Sequence, residues 1–151
     1  MDWKATLKIR AWAAANVPMI GYARPKVIAS SAEEVIVELP LRRRTKNHWR
    51  TMYFGALAVG ADLAAGLMAM NCIEKSGEKV SLVFSDFQAT FHRRPDGAVR
   101  FQCSAGSEIA AQVQEAIASK SRVTKPIQVQ AFVGEELVAS MQLGLSLKPR
   151  H

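Results

Sequence analysis

The middle of the chain is an almost unbroken run of apolar positions. From Met52 to Met70 the residues are apolar, aromatic or glycine, and the one exception is Asp62. The run is long enough to span a bilayer, but its central carboxylate and its many Ala and Gly residues favour a buried helix within a folded protein. Burying a lone carboxylate costs several kcal/mol unless it is paired or has a chemical role. Asp62 is therefore the first candidate for function.

The patterns on either side of this run predict an α+β fold. Alternation of apolar and polar residues indicates strands, and apolar spacing of three or four indicates helices. Every predicted strand pair has the pattern of a hairpin, so the sheet is expected to be largely antiparallel and six-stranded. The predicted elements are a helix over 3–15, strands over 21–29 and 33–42, the helix over 52–70, a strand over 79–94, a returning strand through Val99, Phe101 and Cys103, a helix over 107–118, and a hairpin from Ile127 to Leu147.

Local signals refine the boundaries of these elements. Asp2 is placed to cap the first helix, whose apolar spacing runs through Trp3 and Leu7. Pro40 marks an end, a bulge or an edge in the second strand. The change of apolar phase near Ser85-Asp86 predicts a bulge, and Pro95-Asp96-Gly97 predicts a turn into the next strand. Ser107 is the expected cap of the last helix, and small residues along the central helix suggest close contact with the sheet.

Composition limits the classes of partner. With 151 residues and no linker or repeat, the chain is predicted to be a single domain over 1–151. Cys72 and Cys103 lie in apolar settings without metal-ligand spacing, which indicates reduced thiols in a cytoplasmic protein with no metal and no cofactor. The net charge of +7 favours an anionic partner. Nucleic acid is disfavoured because only Trp49 could stack within the basic segment over 42–50.

One segment resembles a known family. Asn47, Gly55 and Asp62 match, position for position, the motif of the phenylacetyl-CoA-type hotdog thioesterases, which carry Asn, then His-Gly-Gly, then Asp on the central helix. Tyr53 stands at the His position and Phe54 at the first Gly, so the chain is most similar to a hotdog-like branch in which that pair is replaced. The resemblance covers most of the chain and implies a hotdog fold, a long central helix wrapped by the sheet.

The resemblance also implies an acyl-CoA thioesterase. Backbone N–H groups of Phe54 or Gly55 at the start of the helix would hold the thioester oxygen, and Asp62 would be the general base or the nucleophile. Asn47 and Tyr53 complete the implied site, although Asn47 is also a common turn residue. The CoA phosphates would be bound by three arginines, which could equally be solvated: Arg93, Arg94 and Arg50.

Distance along the helix predicts the assembly. Phe54 and Asp62 are eight residues apart, about 12 Å along a helix axis, so they cannot both touch one carbonyl within one chain. The sequence therefore predicts a homodimer, with tetramers possible in principle, in which each site takes the donor from one subunit and Asp62 from the other. The alternative function is a non-catalytic acyl-CoA or fatty-acyl binding protein, motivated by Tyr53 and Phe54.

Overall fold

The fold is known from a computed structural model that describes residues 1–150. Its order of elements follows the predicted order closely, with one additional helix near the N-terminus. The elements are α1 (Trp3–Asn16), α2 (Pro18–Ala23), β1 (Lys26–Ser30), β2 (Val35–Leu39), α3 (Phe54–Ser76), β3 (Val80–Phe91), β4 (Val99–Cys103), α4 (Gly106–Ser119), β5 (Val123–Val133) and β6 (Glu136–Pro149).

All six strands belong to one antiparallel sheet with the order β1-β2-β4-β5-β6-β3. The hairpins β1-β2 and β5-β6 form as predicted. The expected hairpin across the turn at Pro95 is wrong, because β3 pairs only with β6 at the far edge and β4 inserts between β2 and β5. Between β3 and β4 the chain therefore crosses from the edge strand of the sheet to a position between β2 and β5. The predicted bulge near Ser85-Asp86 is present, since the β3-β6 register shifts between Phe84 and Phe87.

The predicted strand over 21–29 is wrong in its first part. Residues from Pro18 to Ala23 form the short helix α2, with proline at a first-turn position where its missing N–H costs nothing. The helix ends at Arg24, which adopts a left-handed conformation with φ of 54°. Pro25 follows and cannot continue a helix, so the strand begins only at Lys26.

Helix α1 has the predicted extent but presents the opposite face. Asp2 caps it through a 3.0 Å hydrogen bond from the Ala5 N–H. The buried residues are Thr6, Ile9 and Ala13, whereas Trp3 and Leu7 of the predicted apolar stripe are exposed. Ile9 and Ala13 are apolar and belong to the core. The hydroxyl of Thr6 accepts a hydrogen bond from the Val27 N–H of β1. The helix is thus apolar on both sides.

Helix α3 lies across the inner face of the sheet and contacts β2, β4 and β5. It runs to Ser76, beyond the predicted end at Met70, and stops at Gly77, whose φ of 73° is the left-handed conformation that glycine adopts without strain. This helix is also long and apolar enough to cross a membrane by length and composition alone, but more than half of its most apolar window is buried within the fold. Such burial is typical of a core helix.

The closest approach between α3 and the sheet occurs at Gly60. A Cβ atom at this position would lie 2.2 Å from the ring of Phe101 in β4, and both residues are buried. By contrast, Gly66 of the same helix faces open space, with only Phe84 within 4 Å. The stripe of small residues predicted to face the sheet includes Gly55 and Asp62, which are half-buried on the open side. Ala65 and Ala69 of the predicted stripe are buried, and Gly60, which the stripe did not include, makes the close approach to Phe101.

Two substitutions of the same kind separate packing from helix propensity. Gly60→Ala is expected to lower the free energy of unfolding by about 1–3 kcal/mol, because the new methyl group overlaps Phe101 in a filled core. Gly66→Ala is the matched control and should raise the stability by up to about 1 kcal/mol, since Ala is the better helix former and meets no close atom. Urea denaturation of both variants at one protein concentration measures the difference. Equal midpoints for the two variants would contradict the packing argument.

Candidate functional site

A cleft of about 490 Å³ opens at the N-terminus of α3. It lies between the loop that precedes the helix and the end of β3. Of the residues predicted for the site, Asn47, Tyr53, Phe54, Arg93 and Arg94 line this cleft, whereas Gly55, Arg50 and Asp62 do not. The remaining lining residues are His48, Thr51, Met52, Leu57, Phe91, His92 and Pro95.

Backbone hydrogen bonds hold the two walls of the cleft together. The Met52 N–H donates to the carbonyl of Pro95 at 2.9 Å, and the Tyr53 N–H donates to the carbonyl of Thr45 at 2.8 Å. Thr45 is itself buried, and its hydroxyl donates to the carbonyl of Pro40 at 2.6 Å. These bonds fix the start of α3 to the turn after β3 and, through Thr45, to the end of β2. The position of the cleft between them is fixed as a result.

Asn47 shapes the loop before α3. Its side-chain oxygen accepts hydrogen bonds from the backbone N–H groups of Trp49 at 2.9 Å and Thr51 at 3.2 Å. Its amide nitrogen lies 3.0 Å from the hydroxyl of Thr51. These are the contacts of a turn residue, which was the alternative role open for Asn47. Its contribution to the cleft is therefore to fix the loop, and a direct contact with a ligand stays a prediction.

The first turn of α3 presents free hydrogen-bond donors to the cleft. Tyr53 is the N-cap and its side chain makes no capping hydrogen bond. Among residues 1–150, the amide N–H groups of Phe54 and Gly55 have no backbone acceptor, as expected for the first positions of a helix. The positive end of the helix dipole points the same way. This end of α3 can stabilise a negative oxygen, and the role of Phe54 and Gly55 as donors to a thioester stays a prediction.

Tyr53 explains why glycine follows Phe54. The Tyr53 ring folds back over the helix, so a Cβ at Gly55 would lie 2.3 Å from a ring carbon. The ring also packs edge-on against Phe54, with 5.1 Å between centroids. Both aromatic side chains remain exposed at the mouth of the cleft. They give the cleft an apolar wall beside its polar donors.

Asp62 lies two turns further along α3, on the side of the helix that the sheet does not cover. The side chain is half-buried, and burial raises the pKa of its carboxyl group above the ordinary value of 3.8. No cation lies close enough to offset this effect: desolvation is its sole cause, and within residues 1–150 the carboxylate has no salt bridge. The sequence-based expectation of a raised pKa is confirmed.

The edge strand β3 borders the open side of α3. Phe87 and Phe91 pair with buried residues of β6, Leu143 and Ala139, so they occupy the same inner face of the sheet. They are nevertheless 42% and 51% exposed, because no helix of this chain covers them. Sequence analysis missed this uncovered inner face, since the alternation of β3 looks the same whether or not another element packs on it.

The three predicted arginines differ in their surroundings. Arg93 forms ion pairs with Asp96, at 3.1 Å, and with Glu136, so most of its charge is already neutralised. Arg94 has no acidic partner within the described part of the chain and lies over the Trp49 ring, with 5.7 Å from the guanidinium carbon to the centroid. Arg50 adopts a positive φ of 62° outside the cleft. Arg94 is therefore the strongest candidate for an anion at the cleft.

His48 and His92 are exposed residues at the border of the cleft, and His151 lies outside the described residues. His92 lies at the end of β3 with its Nε2 atom 2.8 Å from the Ser140 hydroxyl, and His48 packs against Trp49. Across residues 1–150 no group of three His, Cys, Asp or Glu side chains is arranged to hold a metal ion. The polar groups at the cleft within one chain include its amide donors, Arg94 and the two histidines, whereas the carboxylate of Asp62 lies outside it.

Solved structures share this architecture over nearly the whole chain. A candidate thioesterase from Shewanella oneidensis superposes with a TM-score of 0.82, 16% identity, and coverage of 97% of this chain and 99% of that one. A Pseudomonas aeruginosa protein described as a probable thioesterase gives 0.80 and 16%, with coverage of 95% and 96%. A thioesterase from Haemophilus influenzae gives 0.70 and 14%, with coverage of 93% and 88%. At these identities the likeness shows the fold alone.

The likeness confirms the predicted fold class. The chain is an α+β protein with one long central helix and an antiparallel six-stranded sheet, the hotdog arrangement. The phenylacetyl-CoA type in particular stays a prediction. Among curated proteins, none matches the sequence.

A family model described as a domain of unknown function, DUF4442, matches residues 6–146. This range includes every residue of the cleft and Asp62. The chain therefore belongs to the DUF4442 family and has the hotdog fold.

Proposed function

We propose that this protein is an acyl-CoA thioesterase whose site forms between two copies of the chain, with Asp62 as its general base or nucleophile. The observation that carries the proposal is the carboxylate itself. It is half-buried on an apolar helix, its pKa is raised by desolvation, and no partner within the described chain offsets that cost. A carboxylate whose pKa is raised is a stronger base than an ordinary one, which favours the removal of a proton from water.

The cleft supplies the other half of the reaction. Donors aimed at a thioester oxygen would be the free N–H groups of Phe54 and Gly55, aided by the helix dipole. An oxyanion donor of this kind contributes roughly 3 kcal/mol to stabilising the transition state. The apolar wall of Tyr53 and Phe54 would receive the first carbons of the acyl chain.

A second copy brings the two halves together. Eight helical residues separate Phe54 from Asp62, about 12 Å, so the donors of one chain cannot serve the Asp62 of that chain. The free edge of β3 can pair antiparallel with another β3 about a two-fold axis. Such pairing would also place the second copy against the exposed side chains of Phe87 and Phe91 on the inner face of the sheet. Two observations support this assembly. Asp62 is not among the residues that line the cleft of its own chain, and the side of α3 that carries Asp62 is uncovered.

Two routes of hydrolysis fit the residues. As a base, Asp62 takes a proton from water while the water oxygen bonds to the thioester carbon; the C–S bond then breaks and the thiolate leaves as a thiol with that proton. As a nucleophile, the Asp62 oxygen bonds to the same carbon and expels the thiolate, and water then cleaves the resulting anhydride. Both routes give a carboxylic acid and a free thiol.

Substitution of Asp62 tests the proposal directly. Asp62→Asn is expected to reduce the turnover of acyl-CoA by about 10²–10⁴-fold, because the amide cannot accept the proton. Glu74→Gln is the matched control, since Glu74 is an exposed carboxylate on the same helix and should leave turnover unchanged. In the parent protein, turnover should rise as the pH increases through the pKa of Asp62, which lies above 3.8, because only the ionised carboxylate can accept a proton. Release of free thiol measures all three.

Two results would overturn this assignment. One is full turnover by Asp62→Asn. The other is saturable binding of acyl-CoA by the parent protein without release of thiol, which would establish the binding protein as the function instead.

Mixing two inactive variants tests whether subunits share a site. Phe54→Pro removes one donor N–H at a helix position where proline is tolerated. In a mixed dimer of Phe54→Pro and Asp62→Asn, one of the two sites regains both intact groups. Random re-association should therefore restore about one quarter of the parent activity, since half of the dimers are mixed and each has one working site. Failure to recover any activity in verified mixed dimers would contradict a shared site.

The arginines provide a test of substrate class. Arg94→Gln is expected to raise the KM for acyl-CoA by roughly tenfold, the effect of losing one charge-assisted hydrogen bond to phosphate. Arg93→Gln should change it much less, because Arg93 is already paired with Asp96 and Glu136. With a short thioester that lacks the nucleotide phosphates, both variants should match the parent. Equal effects on the two substrates would show that Arg94 does not bind phosphate.

A further inference from the structure

The outer face of α1 is apolar and uncovered. Trp3 and Leu7 are spaced by one helical turn and are 62% and 61% exposed, and Ala11 and Ala14 continue the same face. The opposite face of the helix already supplies the contacts with the core, through Thr6, Ile9 and Ala13. The outer face is thus not needed to fold this chain.

Helix α2 extends this apolar surface. Met19 and Tyr22 are 66% and 56% exposed. The helix packs tightly on α1, since a Cβ at Gly21 would lie 3.3 Å from the backbone nitrogen of Ala14. The four large exposed side chains on these two packed helices are here together called the N-terminal patch: Trp3, Leu7, Met19 and Tyr22.

Cations surround the N-terminal patch. Lys4 and Lys8 follow Trp3 and Leu7 by one position each, so they lie along one border of the stripe. At the other end, the Arg44 guanidinium lies 4.9 Å from the centre of the Tyr22 ring, and Arg24 ends α2. Residues 1–32 contain five Lys and Arg side chains against one acid, Asp2, whose carboxylate caps α1.

We propose that the N-terminal patch docks onto the surface of an anionic lipid bilayer, with α1 lying in the plane of the interface. Trp and Tyr have an apolar body and a polar tip, which suits the headgroup region. Lysines beside an apolar stripe can insert their methylene stems and hold their charges at the phosphates. Lysines along the border of an exposed apolar stripe are one feature of helices that lie in the membrane interface.

The charges also argue against self-association through this patch. Two copies meeting face to face would bring Lys4, Lys8 and Arg44 of each copy together. Fewer acids lie beside them: Asp2, which caps α1, and Glu74, which lines a cleft with Lys8. An anionic membrane neutralises the same charges. The inference is independent of the proposed thioesterase function, because none of these residues lies in the cleft or near Asp62.

Vesicle binding by the full chain tests the inference. The protein should sediment with phosphatidylcholine vesicles that contain phosphatidylglycerol and much less with phosphatidylcholine alone, and added salt should weaken the binding. Lys4→Gln combined with Lys8→Gln is expected to weaken binding about 30-fold, from roughly 1 kcal/mol for each lysine near the surface. The matched control, Lys120→Gln with Lys148→Gln, removes the same charge from exposed positions elsewhere and should change binding less than about threefold.

The apolar part is tested by replacing Trp3 and Leu7 with Ser. Both side chains are exposed, so the circular dichroism spectrum should stay unchanged while vesicle binding falls at least tenfold. Equal loss in the two lysine pairs would show a non-specific charge effect and overturn the inference. Unchanged vesicle binding by the Trp3→Ser, Leu7→Ser variant would also overturn it. If the parent does not bind vesicles and this variant has a different oligomeric state from the parent, the patch is instead a contact with a second copy.

Discussion

The packing of α3 against the inner face of the sheet is the contact on which the rest of this structure depends. The helix approaches β4 so closely that only a hydrogen fits at Gly60 beneath the ring of Phe101. That approach fixes how the helix is rotated about its own axis. It therefore decides that Ala61, Ala64 and Ala65 are buried and that Asp62 is turned to the uncovered side. The same rotation aims the first turn of the helix at the cleft beside the end of β3.

Asp62 lowers the stability that the packing provides. Its pKa is raised in the folded chain, so the folded state holds a proton at pH values where the unfolded state has lost it. Stability contributed by this group is fully present below pH 3.8 and is lost as the pH rises through the raised pKa. An apolar residue at this position would remove the cost. Asp62 opposes folding at neutral pH and forms no ion pair within residues 1–150, which supports the chemical role proposed for it.

The surfaces that the chain leaves uncovered divide into two kinds. Beside Asp62, the inner face of β3 and a free strand edge meet the conditions for pairing with an identical strand, and the aromatic residues there carry no charge. At α1 and α2 the exposed apolar residues are surrounded by cations, which would repel an identical surface. The two surfaces therefore differ in charge, which is the basis for proposing a second copy as the partner of the first and an anionic bilayer as the partner of the second.

The sequence by itself determined the class of fold, the central helix, most strands and the unusual position of Asp62, because apolar periodicity is a local property. The expected cap of the last helix was wrong: Ala105 is the N-cap of α4, and Ser107 lies within the helix and donates to Glu33. Only the tertiary structure decided that β3 pairs with β6. Residues 92–98, which join β3 to β4, are enough to cross the sheet, so the turn among them does not force these two strands to pair. The tertiary structure alone decided that Trp3 and Leu7 face outward, because α1 is apolar on both sides and periodicity cannot choose between them. It also distinguished Arg93 from Arg94, which are neighbours in sequence. The partners of Arg93 include Glu136, a residue that only the folded chain brings within reach of the turn after β3.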